Sequence, residues 1–486
     1  MIDHSEYEIV VGLEVHAQLS TKSKLFCGDS THYGSSPNTQ VSAISLAHPG
    51  TLPKMNRQAI EYAIALGLAC HCEISRENYF ARKNYFYPDL PKGYQVSQHT
   101  TPICRGGFLT VEVNGEEKKI RLNRIHLEED AGKSIHDADP DNTCIDLNRA
   151  GTPLVEIVTE PDIRSSEEAF AFLTSIRRRL RYLGVCDGNM EEGSLRCDAN
   201  ISVRLKGDDR LGTRTEIKNL NSIRHVKKAI DTEAERQIAL LGAGEKVIQQ
   251  TRSFVAADGS SFAIRDKEEA DDYRYFPEPD LTPFRISEEQ LKAVAATLPH
   301  LPEQRIAGYM RELQLSAYDA ALLTDEKSFS DYFEALVQDH PGIKPKRFAN
   351  WLSGPVKEWL NEQGKEIEEF PLSTDQLASL VALVEKGRCS FSAASGKLFQ
   401  ECLKQPEQDI EQLAEKLNLL QVSDTASIEP VIEEVLQKMA DKVEEYRNGK
   451  KGLLALFVGE VMKRSKGKAD PKLTNELLIR KLNSSK

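Results

Sequence analysis

Ile9-Val10-Val11-Gly12-Leu13-Glu14-Val15-His16-Ala17-Gln18-Leu19 alternates with a period of two. Side chains along a strand point to opposite faces in turn, so Val11, Leu13, Val15, Ala17 and Leu19 share one face, and Gly12, Glu14, His16 and Gln18 share the other. The pattern predicts a strand whose apolar face meets a core and whose second face is unusually polar. Leu195 through Arg204 repeats it, with Leu195, Cys197, Ala199, Ile201 and Val203 on one side and Arg196, Asp198, Asn200 and Ser202 on the other.

Between these strands, Ser165 followed by Glu168 reads as a capping box, and Phe172, Leu173, Ile176, Leu180 and Leu183 then fall at helical spacing. Strands and helices interleave until Phe276-Pro277-Glu278-Pro279-Asp280-Leu281-Thr282-Pro283, where the prolines close an α+β portion. From about Ser287 onward the periodicity is helical throughout. A second boundary near Cys402 to Pro406 separates a last, small helical segment with a different charge balance. The expected organisation is an α+β domain over 1–286, an all-α domain over 287–406 and a small all-α tail over 407–486.

The chain has 486 residues, 40% apolar and 28% charged, with a net charge of −12. That balance suits a globular protein and excludes collagenous, coiled-coil and wholly disordered classes. No apolar run is long enough for a membrane helix, and the acidic start, Met1 to Glu6, is not a secretory leader, so a cytoplasmic location is expected. Nine cysteines without dense spacing read as reduced thiols, and the one-residue gap of Cys70-His71-Cys72 is not a structural-zinc spacing. Charge is uneven: Tyr446 to Lys486 contains eleven Lys/Arg and three acids. Lys450, Lys451, Lys463, Arg464, Lys466 and Lys468 cluster about the ends of one apolar helix, Leu453 to Met462, a footprint for nucleic-acid phosphates more than for bases.

Glu14 and His16, two apart on a strand, project together and could share a divalent cation. Taken alone, the pair reads better as a solvated strand face. Two further segments shift that weighting: Ile125 to Lys133 sets Glu128, Glu129 and Asp130 beside Gly132, and Glu156 stands inside the apolar run Leu154-Val155-Glu156-Ile157-Val158. A lone buried carboxylate costs several kcal/mol unless it is paired or ligated. Separated acidic strand positions with a histidine suit Mg²⁺ held against nucleotide phosphates. Arg82 through Tyr94, rich in cations and aromatics, could hold phosphates and stack a base or ribose, or be a loop pinned by packed tyrosines. No Walker-type or kinase-type glycine loop is present, and no acyl-nucleophile motif.

These blocks resemble the family of B subunits of bacterial tRNA-dependent amidotransferases, the GatB family. The resemblance covers nearly the whole chain and is carried by Val11 to His16, Arg82 to Gly93, His126 to Gly132, Leu147 to Ile157, Met190 to Asn200, Thr215 to Asn221 and Asp272 to Asp280. It implies a cradle domain with the core fold of glutamine synthetase and guanidino kinases, then a helical domain, then a tail that contacts tRNA. It also implies a reaction: ATP phosphorylates the side-chain carboxylate of Glu or Asp misacylated onto tRNA, and ammonia from an amidase (A) subunit displaces the phosphate; a small C subunit completes a heterotrimer. The alternative is a non-catalytic tRNA-binding scaffold.

On this reading His16, Glu129 and Glu156, with Glu14 nearby, hold Mg²⁺. Whether Glu128 or Glu129 faces the metal stays open, because adjacent strand residues point oppositely. Arg82, Lys83, Arg149, Arg196 and Lys218 are the expected ATP and phosphate contacts. Many members of the family carry a zinc site of two cysteine pairs; the four positions here are Cys27, Asp29, Ser42 and Ser45, so structural zinc is not expected.

Overall fold

A computed structural model describes residues 6–98, 100–136, 138–266, 270–421, 425–465 and 469–483. The chain divides into two compact units, Met1–Leu301 and Pro302–Lys486.

The first unit is built on one large sheet. Its main path uses β1 (Tyr7–Gln18), β2 (Ala81–Asn84), β3 (Tyr94–Ser97), β4 (Glu116–Glu129), β5 (Pro153–Thr159), β6 (Leu195–Leu205), β7 (Thr215–Lys218), β8 (Gln250–Phe254), β9 (Ser261–Asp266) and β10 (Phe276–Pro277), in the order β9-β8-β7-β6-β1-β5-β4-β3-β2-β10. β7 and β8 run parallel, while the other pairs of this path are antiparallel. The alternation of β1 is realised as read: Val11, Leu13, Val15 and Ala17 are fully buried. They pack with the apolar stripes of α1 (Arg57–Ala69), α2 (Ser166–Tyr182) and α3 (Ile223–Gly242) in a single core that includes Ile64, Phe172, Ile176 and Ile230. The helices therefore gather on one face of the sheet, and the polar face of β1 is turned away from them.

Local chemistry starts the helices where the sequence places them. Ser165 accepts the Glu168 backbone N–H at 3.2 Å and Ser222 that of His225 at 3.1 Å, satisfying donors with no intrahelical partner. The Glu168 carboxylate does not close the reciprocal half of a capping box on Ser165; it accepts from the Arg164 N–H at 2.6 Å and pairs with Lys118. The expected end of the α+β part at residue 286 moves to 301, because α4 (Glu288–Ala296) lays Leu291 and Val294 on the first core.

The second unit is helical among its described residues. Its larger core spans Tyr309 to Ala414 and is centred on Trp351, edge-on to Phe391 at 5.4 Å. Leu352–Val356 forms a wide helical turn around Pro355, which cannot donate the hydrogen bond a regular turn would use. That core also takes Ile410, Leu413 and Ala414 from the helix Ile410–Lys416, so the expected tail boundary at 407 falls inside it. A separate small core joins α5 (Thr425–Lys438), α6 (Leu454–Arg464) and α7 (Pro471–Asn483) through Ile432, Val435, Phe457, Val461 and Leu478. Among the described residues, no helix is long and apolar enough to cross a membrane.

Candidate active site on the polar face of the sheet

Strand register decides which polar side chains meet. His16 of β1 lies opposite Glu156 of β5, which lies opposite His126 of β4, and Glu128 follows two residues on, on the same face. His16 Nε2 stands 3.5 Å from Glu156 Oε2 and 3.9 Å from Glu128 Oε1, while His126 Nε2 stands 3.5 and 3.6 Å from the same two carboxylates. One ligand atom from each of His16, Glu128 and Glu156 can lie within 4.8 Å of the others. His126, Glu128 and Glu156 are buried.

Burial works against the charge of Glu156. Nearby His126, the hydrogen bond and charge of His16, and Lys83 outweigh it and hold this carboxyl well below the usual range. Burial likewise opposes charge on His16, yet hydrogen bonding and attraction to Glu156, then Glu128 and Asp198, raise its pKa to about 9. The Glu156 carboxylate, with Glu128 beside it, thus meets an imidazole that carries positive charge in the absence of metal. Two carboxylates with one imidazole are a donor set that fits Mg²⁺ or Mn²⁺.

Two members of the expected set lie apart from this group. Glu129, adjacent to Glu128, points through the opposite face of the sheet, where its carboxylate accepts from the Val96 N–H at 2.8 Å and pairs with Lys92. It lines a cavity of about 240 Å³ there, together with the fully buried Lys24, Asp130 and Glu278. Glu14 keeps the polar face but belongs to a neighbouring acidic group with Asp198 and Glu216, and it accepts from the Asn200 amide at 2.9 Å.

The five expected phosphate contacts also separate. Lys83 lies on the His16 face, since it pairs with Gln95, two residues before Ser97, which pairs with Glu128. Arg82 faces the other way: its guanidinium holds Glu278 through two hydrogen bonds of 2.8 and 2.7 Å, reaches Asp280 at 3.1 Å and lies 4.1 Å over the Tyr94 ring. Arg149 donates to the Ala131 and Gly132 carbonyls and serves the turn after β4. Arg196, opposite His16 in the sheet, donates to Asp130 at 2.8 Å, and Gln18 donates to the same carboxylate oxygen at 2.7 Å. Lys218 pairs with Asp198 and stands 3.5 Å from Glu216. Arg82, Arg149, Arg196 and Lys218 are thereby engaged by acceptors of the protein itself, while Lys83 is the cation of this set whose charge acts on Glu156.

His126 and Glu216 are neighbours of the group that the sequence does not single out; Asp130 and Asp198 enter the reading only as part of an acidic run and of a polar strand face, and Glu128 as one of two alternatives. The i, i+2 spacing of His126 and Glu128 is the available signal; it becomes informative only when the register against Glu156 is known.

The four positions of the family's zinc site come together without suiting the metal. Asp29 Oδ2 accepts from the Ser42 N–H at 2.7 Å and from the Ser45 hydroxyl, and Cys27 Sγ lies 3.5 Å from that hydroxyl. One thiol, pushed up by burial, one carboxylate and two hydroxyls are a poor zinc donor set. Elemental analysis of the purified protein should find less than one tightly held zinc per chain, and a full equivalent would overturn this reading of the loop.

Buried carboxylates and an imidazole meet on the polar face of a large, mainly antiparallel sheet, and an all-helical unit follows it in the chain. Residues 9–292 match the family model described as GatB/GatE catalytic domain, and residues 331–482 match that described as GatB domain. The chain belongs to the GatB family. It is 50% identical over 475 residues to the B subunit of the aspartyl/glutamyl-tRNA(Asn/Gln) amidotransferase of Thermodesulfovibrio yellowstonii, covering 98% of this chain and 99% of the relative. The protein of the same description from Geotalea daltonii is 51% identical over 480 residues, with 98% and 99% covered, and that from Alkalilimnicola ehrlichii is 49% identical over 480, with 99% and 100% covered.

Proposed function

We propose that this chain is the ATP-dependent subunit of a tRNA-dependent amidotransferase, working in the cytoplasm with an amidase (A) subunit and a small C subunit. Its substrates are Glu-tRNA(Gln), Asp-tRNA(Asn) or both. The single observation that carries this reading is the convergence of His16, Glu128 and Glu156 within the segment that matches a catalytic domain. The sheet with helices gathered on one face supports a cradle of the glutamine synthetase and guanidino kinase type.

A carboxylate has no good leaving group, so amidation needs activation first. An oxygen of the substrate's side-chain carboxylate bonds to the γ-phosphorus of ATP as the bond to the ADP oxygen breaks; ammonia then bonds to the acyl carbon and phosphate departs with the former carboxylate oxygen. A divalent cation, when bound, neutralises charge on the phosphates and orients them. His16, Glu128 and Glu156 would hold that cation. Lys83 supplies positive charge beside them without needing to move, and Asp130 with Gln18 fixes the carboxylate-guanidinium arrangement that orients Arg196. The basic residues about α6 are assigned to the tRNA body.

The test uses the purified heterotrimer. ADP should form only when misacylated tRNA is present, and it should form in proportion to the amidated product. Amidation without ADP formation, or ADP formation by a complex lacking this chain, would replace this reading with that of a tRNA-binding scaffold.

A further inference from the structure

Two imidazoles, not one, face the carboxylates of the proposed metal group. In strand register His16, Glu156 and His126 stand in one row across β1, β5 and β4. Glu156 Oε2 lies 3.5 Å from Nε2 of both rings, while Glu128 turns Oε1 toward His16 at 3.9 Å and Oε2 toward His126 at 3.6 Å. These distances do not separate the two rings, yet only a nitrogen with a free lone pair can ligate a metal.

The surroundings of the rings do separate them. Arg124, two residues before His126 and on the same face of β4, brings its Nε to 3.4 Å from His126 Nδ1. A guanidinium carries only donors, so Nδ1 accepts this N–H and the proton of the ring sits on Nε2, the nitrogen that faces Glu128 and Glu156. His126 Nε2 is thereby a donor toward the carboxylates and has no lone pair for a cation. Arg124 is itself held in place: Nη1 donates to Asn123 Oδ1 at 3.2 Å, and Nη2 stands 3.8 Å from Glu156 Oε1. Access differs as well. His126 is 2% exposed, whereas the His16 side chain is 19% exposed, so a cation arriving from solvent reaches His16 more directly.

We propose that His126 is a positioning residue for the metal ligands and not a ligand: its Nε2–H orients Glu128 Oε2 and Glu156 Oε2, and Arg124 fixes its tautomer. Glu128 Oε1, on the His16 side, is then the oxygen that this carboxylate leaves to the cation. Carboxylates that ligate a metal are commonly held by such outer hydrogen-bond partners, which set the direction of their oxygens before the metal arrives. The inference rests on the metal group of the function proposed above and adds what orients it.

Mn²⁺ bound to the intact heterotrimer, without nucleotide or turnover, gives two readouts: its affinity, and the magnetic coupling between Mn²⁺ and a directly bonded nitrogen. One coupled imidazole nitrogen is expected in the parent, retained in His126→Gln and absent from His16→Gln. His126→Asn places its amide near the Nδ1 position and leaves no donor where Nε2 stood, so Mn²⁺ affinity should fall about tenfold, the lower end for a lost outer partner of metal ligands. His126→Gln carries an amide N–H close to the former Nε2 and should restore affinity to within about threefold of the parent. Arg124→Lys keeps the charge without the fixed donor and should also weaken Mn²⁺; combined with His126→Asn it should add nothing, because it acts through that ring. Nitrogen coupling lost in His126→Gln, unchanged affinity in His126→Asn, no rescue by Gln, or additive losses in the double variant would overturn the proposal. Mn²⁺ held as tightly by Glu156→Gln as by the parent would sink the metal reading and this inference with it. Affinity lost in Glu156→Gln but kept in His126→Asn leaves the metal reading standing and refutes this inference alone. Should His126→Asn prevent assembly, the nitrogen coupling in His126→Gln and the affinity of Arg124→Lys are read by the same outcomes.

Discussion

Glu156→Gln should reduce tRNA-dependent ADP formation by the heterotrimer by about 10²–10³-fold, the size of effect seen when a preorganised electrostatic contact is removed from an active site. The substitution keeps the side chain's volume and removes only its charge. In the parent, that charge is stabilised despite burial by His126, His16 and Lys83, and it anchors the His16 row across three strands. Glu128→Gln should act in the same direction, because Glu128 faces the same two imidazoles. Glu129→Gln provides the contrast: its carboxylate lies across the sheet against Lys92 and the Val96 N–H, so metal-dependent ADP formation should stay within a few-fold of the parent. Mn²⁺ binding gives a second readout, with affinity falling in the first two variants and not in the third. Near-normal turnover and Mn²⁺ affinity in Glu156→Gln would sink the assignment. The reverse ordering of Glu128 and Glu129 would show that the register places the wrong carboxylate at the metal.

Removing residues 425–486 should weaken tRNA affinity and flatten its dependence on salt, with much less change in the rate at saturating tRNA. Each phosphate left without its cation should reduce the slope of log affinity against log salt by about 0.9 on a duplex backbone. The cut belongs at 425 and not at 407, because Ile410, Leu413 and Ala414 are part of the preceding core and their removal would damage it. Lys450 and Lys451 precede α6, while Lys463 and Arg464 end it. Lys450 pairs with Glu445, Arg464 with Glu434 and Glu460, and Lys451 lies over the Tyr446 ring. Exposed ion pairs contribute only about 0–1 kcal/mol, so these partners do not prevent the cations from turning to phosphate. Lys466 and Lys468 lie outside the described residues. Unchanged affinity and slope would make the basic tail a solvated face. Normal affinity with a lost saturated rate would instead give it a part in positioning the acceptor end.

Features that are local or strictly periodic are legible in the residues alone. The alternation from Val11 to Leu19 separates a core face from a polar face, and Val11, Leu13, Val15 and Ala17 are indeed fully buried. Ser165 and the helical spacing from Phe172 locate α2, and the prolines from Pro277 to Pro283 mark the change from mixed to helical structure. Which polar residues meet is instead a matter of strand pairing. A strand residue and its neighbour face opposite ways, so only the pairing of β4 with β5 selects Glu128 over Glu129, and only the pairing of β2 with β3 sends Lys83 to the site and Arg82 to Glu278. Register depends on interactions between segments well separated along the chain, which no local period contains. The same holds for the first unit's boundary, fixed where α4 buries Leu291 and Val294 on the core, a packing event that its own helical pattern permits but does not specify.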